Sequence, residues 1–282
     1  RRTPIGFAAY FLERALPVLT GLSSDNRRFI DDAVERYRLD ASARARMHVL
    51  YQPCRLFPLK GEQTAPGRNP PLSGRRDGGA RLRVLWAGRL DAEKRLDLFL
   101  DIVRACDFAD FHVFGQVVLD EGEQLPALPN LHYAGAFVSP LEWISNTRFD
   151  VFLFTSRWEG LPNVLIEAGA LDIPVLAPVV GGVSELITDV TGYPLGEAPT
   201  VGHYLAALQA IRQNPEVASA RAAALRRLVE ERHGWPNFLR ALQALPDYLA
   251  EEVSAALPSP WEHGPLVSVI VPGMVTAFGV FW

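Results

Sequence analysis

The segment RWEGLPNVLIEA, Arg157 to Ala168, sets one carboxylate, Glu159, on a Gly-Leu-Pro-Asn bend and a second, Glu167, on the stretch that follows. Gly160, Leu161 and Pro162 turn the chain, and the pattern predicts a helix from near Asn163. The first N–H groups of a helix lack partners within it and can hold phosphate or sugar oxygens. Glu167, four residues after Asn163, falls one turn along the same face. A carboxylate accepts from two hydroxyls at once, which suits a sugar or a ribose diol. A lone glutamate on a helix is ordinarily just solvated. Glu167 sits amid NVLIEAGA, otherwise apolar, and that favours a ligand.

Three further features could join these carboxylates. In AGRLDAEKRLD, Arg89 stands just past a strand that ends at Gly88, and Lys94 falls in the first turn of the predicted next helix. A cation is unfavourable there because the helix dipole is already positive, unless an anion shares the site. Arg89 and Lys94 could then converge on a diphosphate, each charge-assisted bond contributing about 1.5–3 kcal/mol. The plainer alternative is two solvated cations beside carboxylates. In APVVGGVSELI, Gly181 and Gly182 permit close backbone approach after a strand, and Glu185 is placed at the start of a short helix. In HVFGQ, Gly115 ends a strand and lets a ligand lie against backbone.

The elements that must position these residues alternate. RLRVLWAG reads as a buried strand, and AEKRLDLFLDIVRAC as a helix with Leu96, Phe99, Leu100 and Val103 on one stripe. FHVFG and LHYAG are strands. SPLEWISNT is a short helix with Ser139 as N-cap and Pro140 at its first position. FDVFLFTS is a central strand, followed by the helix NVLIEAGAL and the strand IPVLAPV. Near-continuous apolar strands alternating with helices predict an α/β, Rossmann-like parallel sheet covered on both faces. Ligands bind such sheets at the carboxyl ends of the strands. Before Arg81, LPVLTGLS and MHVLYQP flank the helix NRRFIDDAVERYRL, a single βαβ unit. Lys60 to Ala80 is a Gly/Pro-rich linker. After the sheet the chain reads as helical.

With 282 residues, 49% hydrophobic, 21% charged and a net charge of −4, the composition is that of a globular protein with no general affinity for nucleic acid. Cys54 and Cys106 lack metal-ligand spacing and are expected to be free thiols in a reducing compartment. The start lacks Met and does not read as a signal peptide; it reads as a chain cut from something longer. The uncharged stretch from Pro265 to Trp282 approaches membrane-spanning length, but VSVIV closing on Pro272 and Gly273 has strand grammar.

Taken in order, these motifs resemble the carboxyl-terminal half of retaining GT-B glycosyltransferases, the group 1 or family 4 class. The strand ending in G-R followed by E-K is matched by Gly88, Arg89, Glu93 and Lys94. The pattern E-G-x-P-N-x-x-x-E is matched by Glu159, Gly160, Pro162, Asn163 and Glu167. E-A-x-A-x-x-x-P-V is matched by Glu167, Ala168, Ala170, Pro174 and Val175, and G-G-x-x-E by Gly181, Gly182 and Glu185. The resemblance runs from about Arg81 to Tyr248. The family usually has Gly where this chain has Asp172, a departure expected to be tolerated.

The resemblance implies residues 1–59 as a remnant of the amino-terminal GT-B domain, 60–80 as the linker, 81–253 as the nucleotide-sugar-binding domain and 254–282 as a tail. PLVSVIVP resembles the opening strand of a family 2 glycosyltransferase. It further implies that Arg89 and Lys94 stabilise charge on the leaving diphosphate, in a role otherwise given to a metal. Glu159 and the amides of Gly160 to Asn163 would hold donor-sugar hydroxyls, Glu167 the ribose, and backbone around Val138 the base. The donor would be a UDP-sugar or GDP-sugar, with no cofactor and no metal, and the configuration would be retained. The acceptor would be a glycan or lipid-linked. The setting would be cytoplasmic, at the inner membrane face, with peripheral association through the full-length protein. On this division of labour Glu167→Ala weakens nucleoside diphosphate binding and Glu159→Ala leaves it nearly intact.

Other classes account for less. A Rossmann oxidoreductase needs G-x-G-x-x-G after the first strand, and LWAGRLDAEK has one glycine there. A glycosidase suits two carboxylates but not the cationic pair. A nucleotide-binding fragment or scaffold without catalysis stays open.

Overall fold

The computed structural model describes residues 21–57, 81–90, 92–116, 125–144 and 148–245. The expected linker and the tail with its strand lie outside the described residues. Those that are described divide into two compact units: residues up to Pro53 together with those from Trp235, and residues between Cys54 and Gly234.

The smaller unit starts with β1 (Leu22–Ser24), followed by α1 (Arg27–Tyr37), α2 (Ala41–Ala45) and β2 (Met47–Val49). The strands pair in parallel, Leu22 opposite Met47, as the expected βαβ unit requires. Asn26 caps α1 by accepting from the Phe29 amide at 2.7 Å. Asp40 caps α2 through the Ala43 amide. The helix α2 was not foreseen from the sequence, because five residues are too few to show a period. Leu22, Ile30, Ala33, Ala43 and Met47 form the unit's small core.

In the larger unit, β3 (Leu82–Ala87), α3 (Leu96–Ala105), β4 (Ala109–Phe114), β5 (Leu131–Gly135), α4 (Leu141–Ile144), β6 (Val151–Leu153), α5 (Asn163–Ala170), β7 (Val175–Ala177) and β8 (Tyr193–Pro194) follow in order. The helices α6 (Val201–Gln213) and α7 (Pro215–His233) close it, and α8 (Trp235–Gln243) groups with the smaller unit. Among the described residues six strands form one sheet in the order β5-β4-β3-β6-β7-β8, and every pairing is parallel. The order turns back between β3 and β6. A crevice for ligand opens at such a reversal, outside the carboxyl ends of the two strands. The expected α/β sheet is therefore present, and its switch point falls on the two motifs richest in charge.

The central strands β6 and β7 are buried at every position, as strands covered on both faces must be. In α3 the buried residues are Leu98, Phe99, Ile102 and Val103. The expected stripe of Leu96, Phe99, Leu100 and Val103 is thus rotated. The sequence LDLFLDIVRA offers two overlapping apolar stripes that share Phe99 and Val103, and the sheet takes the one with Leu98 and Ile102; Phe99 packs against Trp86 and Phe111, at ring separations of 5.3 and 5.9 Å. A Tyr204 hydroxyl from α6 donates to the Phe154 carbonyl at 2.8 Å and fixes the exit of β6.

The end of α5 explains the departure at residue 172. The Ile173 amide donates to the Ala168 carbonyl and the Asp172 amide to Gly169, the paired bonds of a Schellman cap. That cap needs a left-handed residue, and Asp172 has φ 58°. Glycine fits there without cost; aspartate is among the better substitutes. Its carboxylate also lies 3.5 Å from Arg226, which is buried and donates to the Ala170 carbonyl. Both Asp172→Gly and Asp172→Ala delete that ion pair, so their difference isolates the backbone. Asp172→Ala should unfold in urea at a stability about 1 kcal/mol below Asp172→Gly. Equal stabilities would show that the left-handed turn relaxes.

Candidate donor site at the switch point

Two loops meet where the sheet order reverses. The first leaves β3 through Gly88 and Arg89 and reaches the turn Ala92–Arg95. The second leaves β6 through Thr155 and Ser156 and reaches Glu159. Three ties join them. The Thr155 hydroxyl donates to the Lys94 carbonyl at 2.5 Å and accepts from the Trp86 indole N–H at 3.0 Å. The Arg157 amide donates to the Glu93 carbonyl at 3.0 Å. The Lys94 ammonium forms an ion pair with Glu159. Lys94 Nζ also lies 5.7 Å above the Phe154 ring.

This geometry corrects the expected place of Lys94. The helix α3 begins at Leu96, and its N-cap is Arg95 in a left-handed conformation, φ 52°. Lys94 therefore precedes the helix rather than occupying its first turn. The ties from β6 hold the turn out of helical register. An anion does stand beside Lys94: it is Glu159, 65 residues away in sequence. Both side chains are mostly buried, 17% and 16% exposed. Arg89 is different: it is half exposed, 3.3 Å from Glu93. A surface pair of that kind contributes at most about 1 kcal/mol.

Glycines let the loops approach. A Cβ on Gly115 would stand 1.9 Å from the Gly88 carbonyl oxygen. The Gly88 amide donates to Phe114 and the Gly115 amide to Gly135, extending the sheet by one residue at its carboxyl edge. Gly181 is left-handed, φ 50°, and a Cβ there would stand 1.8 Å from the Glu159 carbonyl oxygen. The Gly182 amide donates to the Gly160 carbonyl at 2.9 Å. The Gly-Gly turn is therefore the floor under Glu159 and Gly160. Glu185 closes the short 3-10 turn Gly181–Glu185 rather than opening a helix. Its carbonyl accepts from Arg232 at 2.7 Å.

The helix α5 starts at Asn163 as expected, with Pro162 as N-cap. Leu161 and Pro162 are buried, and Asn163 is exposed. Glu167, on the next turn, has surroundings of its own. Burial pushes its carboxyl up to about 7, against a smaller lowering influence from Arg55. Cys54 lies close enough for Glu167 to reinforce the effect of burial, which raises that thiol to about 11. Cys54 and Cys106 are both free thiols and buried. Val138 is 98% exposed, and its amide, like that of Ser139, donates to the Glu142 carboxylate at 2.9 Å. The structure thus joins Glu159, Gly160, Lys94 and the Gly-Gly turn in one cluster, sets Gly88 and Gly115 side by side, and gives Glu167 separate neighbours.

Thr155, Trp86 and Arg55 escaped the sequence reading. Thr155 was visible as the first polar residue after an apolar run, but its partner in the Lys94 turn is long-range. Among the described residues no cluster of three or more metal-ligating side chains occurs, and no helix is long and apolar enough to cross a membrane.

The family model described as glycosyl transferases group 1 matches residues 81–231. A Vi polysaccharide biosynthesis protein, VipC/TviE, from Salmonella typhi is 41% identical over 80 residues, 28% of this chain and 14% of its own length. The O-antigen biosynthesis glycosyltransferase WbnH from Escherichia coli is 31% identical over 112 residues, 37% of this chain and 31% of its own. The matched segments thus span a third or less of these relatives. Among solved structures, Anabaena Alr3699/HepE in complex with UDP-glucose superposes with a TM-score of 0.63 at 16% identity, covering 90% of this chain and 70% of that one. A glycosyltransferase from Rickettsia africae superposes with a TM-score of 0.64 at 15% identity, covering 91% and 69%. Those identities speak for the fold alone. The family match takes in the six-stranded sheet and both loops at its switch point, and on that ground the chain belongs to the group 1 glycosyltransferases.

Proposed function

We propose that residues 81–234 bind a nucleotide-sugar donor and that the protein transfers its sugar, with retention, to a glycan or lipid-linked acceptor. The observation that carries this is the meeting of Lys94, Glu159 and the Gly181–Gly182 turn outside the carboxyl ends of β3 and β6. A diphosphate there would be met by Lys94 and by Arg89 swung from Glu93. As the bond from the anomeric carbon to the diphosphate oxygen breaks, charge grows on the departing phosphate. Fixed cations stabilise that charge most when they need no reorganisation. Glu159 and the amides leading into α5 would take sugar hydroxyls, and Glu167 the ribose. Gly88 leaves room for a ligand to lie against backbone, whereas the space over Gly115, where the sequence suggested a ligand, is taken by the Gly88 carbonyl. The named relatives in polysaccharide and O-antigen biosynthesis support a saccharide acceptor.

Two cations in place of a metal predict binding in the presence of chelator. Calorimetric titration of the chain with UDP and GDP in EDTA should give the same affinity as in magnesium. A strict requirement for magnesium or manganese would count against this assignment of Arg89 and Lys94. Binding with no transfer to any acceptor, in a protein extended to its relatives' length, would favour a non-catalytic nucleotide-binding module instead.

A further inference from the structure

The pairing of Lys94 with Glu159 has a consequence beyond holding a donor. We propose that this ion pair makes the site discriminate the intact nucleotide sugar from the nucleoside diphosphate left after transfer, disfavouring the product. The proposal rests on the donor-site reading above.

Each charge has the other as a partner. Both are mostly buried, and a buried charge stripped of its partner is strongly unfavourable. A diphosphate that draws on Lys94 takes the partner from Glu159 and adds negative charge beside it. The loop that carries the carboxylate is held on both sides. The Glu159 backbone rests on Gly181, where even a Cβ would clash, and Gly160 is bonded to the Gly182 amide. The Arg157 amide anchors the other side of the loop to Glu93.

A sugar attached to the diphosphate changes the balance. Its hydroxyls donate to a carboxylate, so the intact donor compensates both halves of the pair it opens. The nucleoside diphosphate compensates only the cation. Once the sugar has left, Glu159 loses its hydroxyl donors and competes again for Lys94, and this competition weakens the hold on the product. Sequence alone makes Glu159 neutral toward nucleoside diphosphate; the ion pair makes it an antagonist.

The test is calorimetric titration of the 282-residue chain and of its Glu159→Gln variant with UDP and UDP-glucose, and with GDP and GDP-mannose. Glutamine keeps the shape and removes the charge. The variant should bind the nucleoside diphosphate tenfold or more tightly than the unmodified chain, and the nucleotide sugar no more tightly. The preference for donor over product should thus fall at least tenfold. Unchanged or weaker nucleoside diphosphate binding by the variant overturns the proposal while the donor-site reading stands. An unmodified chain that binds neither ligand overturns both. Should the variant fail to fold, the unmodified chain decides: the Glu159 carboxyl carbon should shift in its NMR spectrum when UDP or GDP saturates the site. An unmoved resonance at saturation overturns the proposal.

Discussion

Lys94→Ala should lower sugar transfer, as kcat/KM, by roughly a hundred- to a thousandfold, the usual cost of deleting one preorganised group facing developing charge. Arg89→Ala should cost less. The difference lies in how the two are held. The Lys94 backbone is fixed by the Thr155 hydroxyl, and the turn by the Arg157 amide, so its mostly buried ammonium has only to exchange Glu159 for the diphosphate. Arg89 is half exposed and must leave Glu93 and become ordered first. One complication has a built-in control. Lys94→Ala strips the buried Glu159 of its ion-pair partner, and such a loss destabilises by as much as 3–5 kcal/mol at full burial. The double variant Lys94→Ala, Glu159→Gln removes the stranded charge. It should recover most of the thermal stability and none of the transfer. Recovery of transfer along with stability would mean that Lys94 acts through folding rather than on the diphosphate.

The same residue shows where the sequence was legible and where it was not. Buried parallel strands must be apolar along nearly their whole length, so β6 and β7, and β3 apart from Arg83, are legible directly, and with them the carboxyl edge that carries the site. The start of α5 at Asn163 was local as well, announced by the Gly-Leu-Pro bend. Lys94 was misplaced because what ends α3 is not local. Arg95 adopts a left-handed conformation and the turn before it is bonded to residues 61 to 65 positions later. No periodicity carries that information. Glu185 moved for a related reason: the Gly-Gly turn is shaped by the loop it supports, and its five residues form a 3-10 turn that ends where a helix start had been expected. Asp172 is the opposite case. A family position that favours glycine is a statement about φ, and the Schellman cap with φ 58° agrees with it.

Glu167→Gln should weaken nucleoside diphosphate binding about ten- to a hundredfold at pH 8, the worth of charge-assisted bonds to a ribose diol, while making the ligand-free chain more stable. The two effects share a cause. Burial raises the Glu167 carboxyl to about 7, against about 4.5 when unfolded. Between those values the folded chain holds a proton that the unfolded chain has lost, so this group's contribution makes stability fall as pH rises from 4.5 to 7 and level off above. Each pKa unit is worth about 1.4 kcal/mol. With partial solvent access allowed for, glutamine in place of the ionised carboxylate should gain about 1–2 kcal/mol at pH 8, and the gain should vanish near pH 4. Binding runs the other way. Two hydroxyls donating to one side chain favour the carboxylate over the acid, so nucleotide uptake should release a proton below pH 7. Affinity should therefore rise from pH 5.5 to 7 and flatten beyond it. Calorimetry in two buffers of different ionisation enthalpy measures that proton directly, and Glu167→Gln should remove the part of the release and of the pH dependence that the terminal phosphate, with its own pKa of about 6, does not supply. A variant whose proton release is undiminished would place the ribose elsewhere and return Glu167 to a buried acid near Cys54 and Arg55.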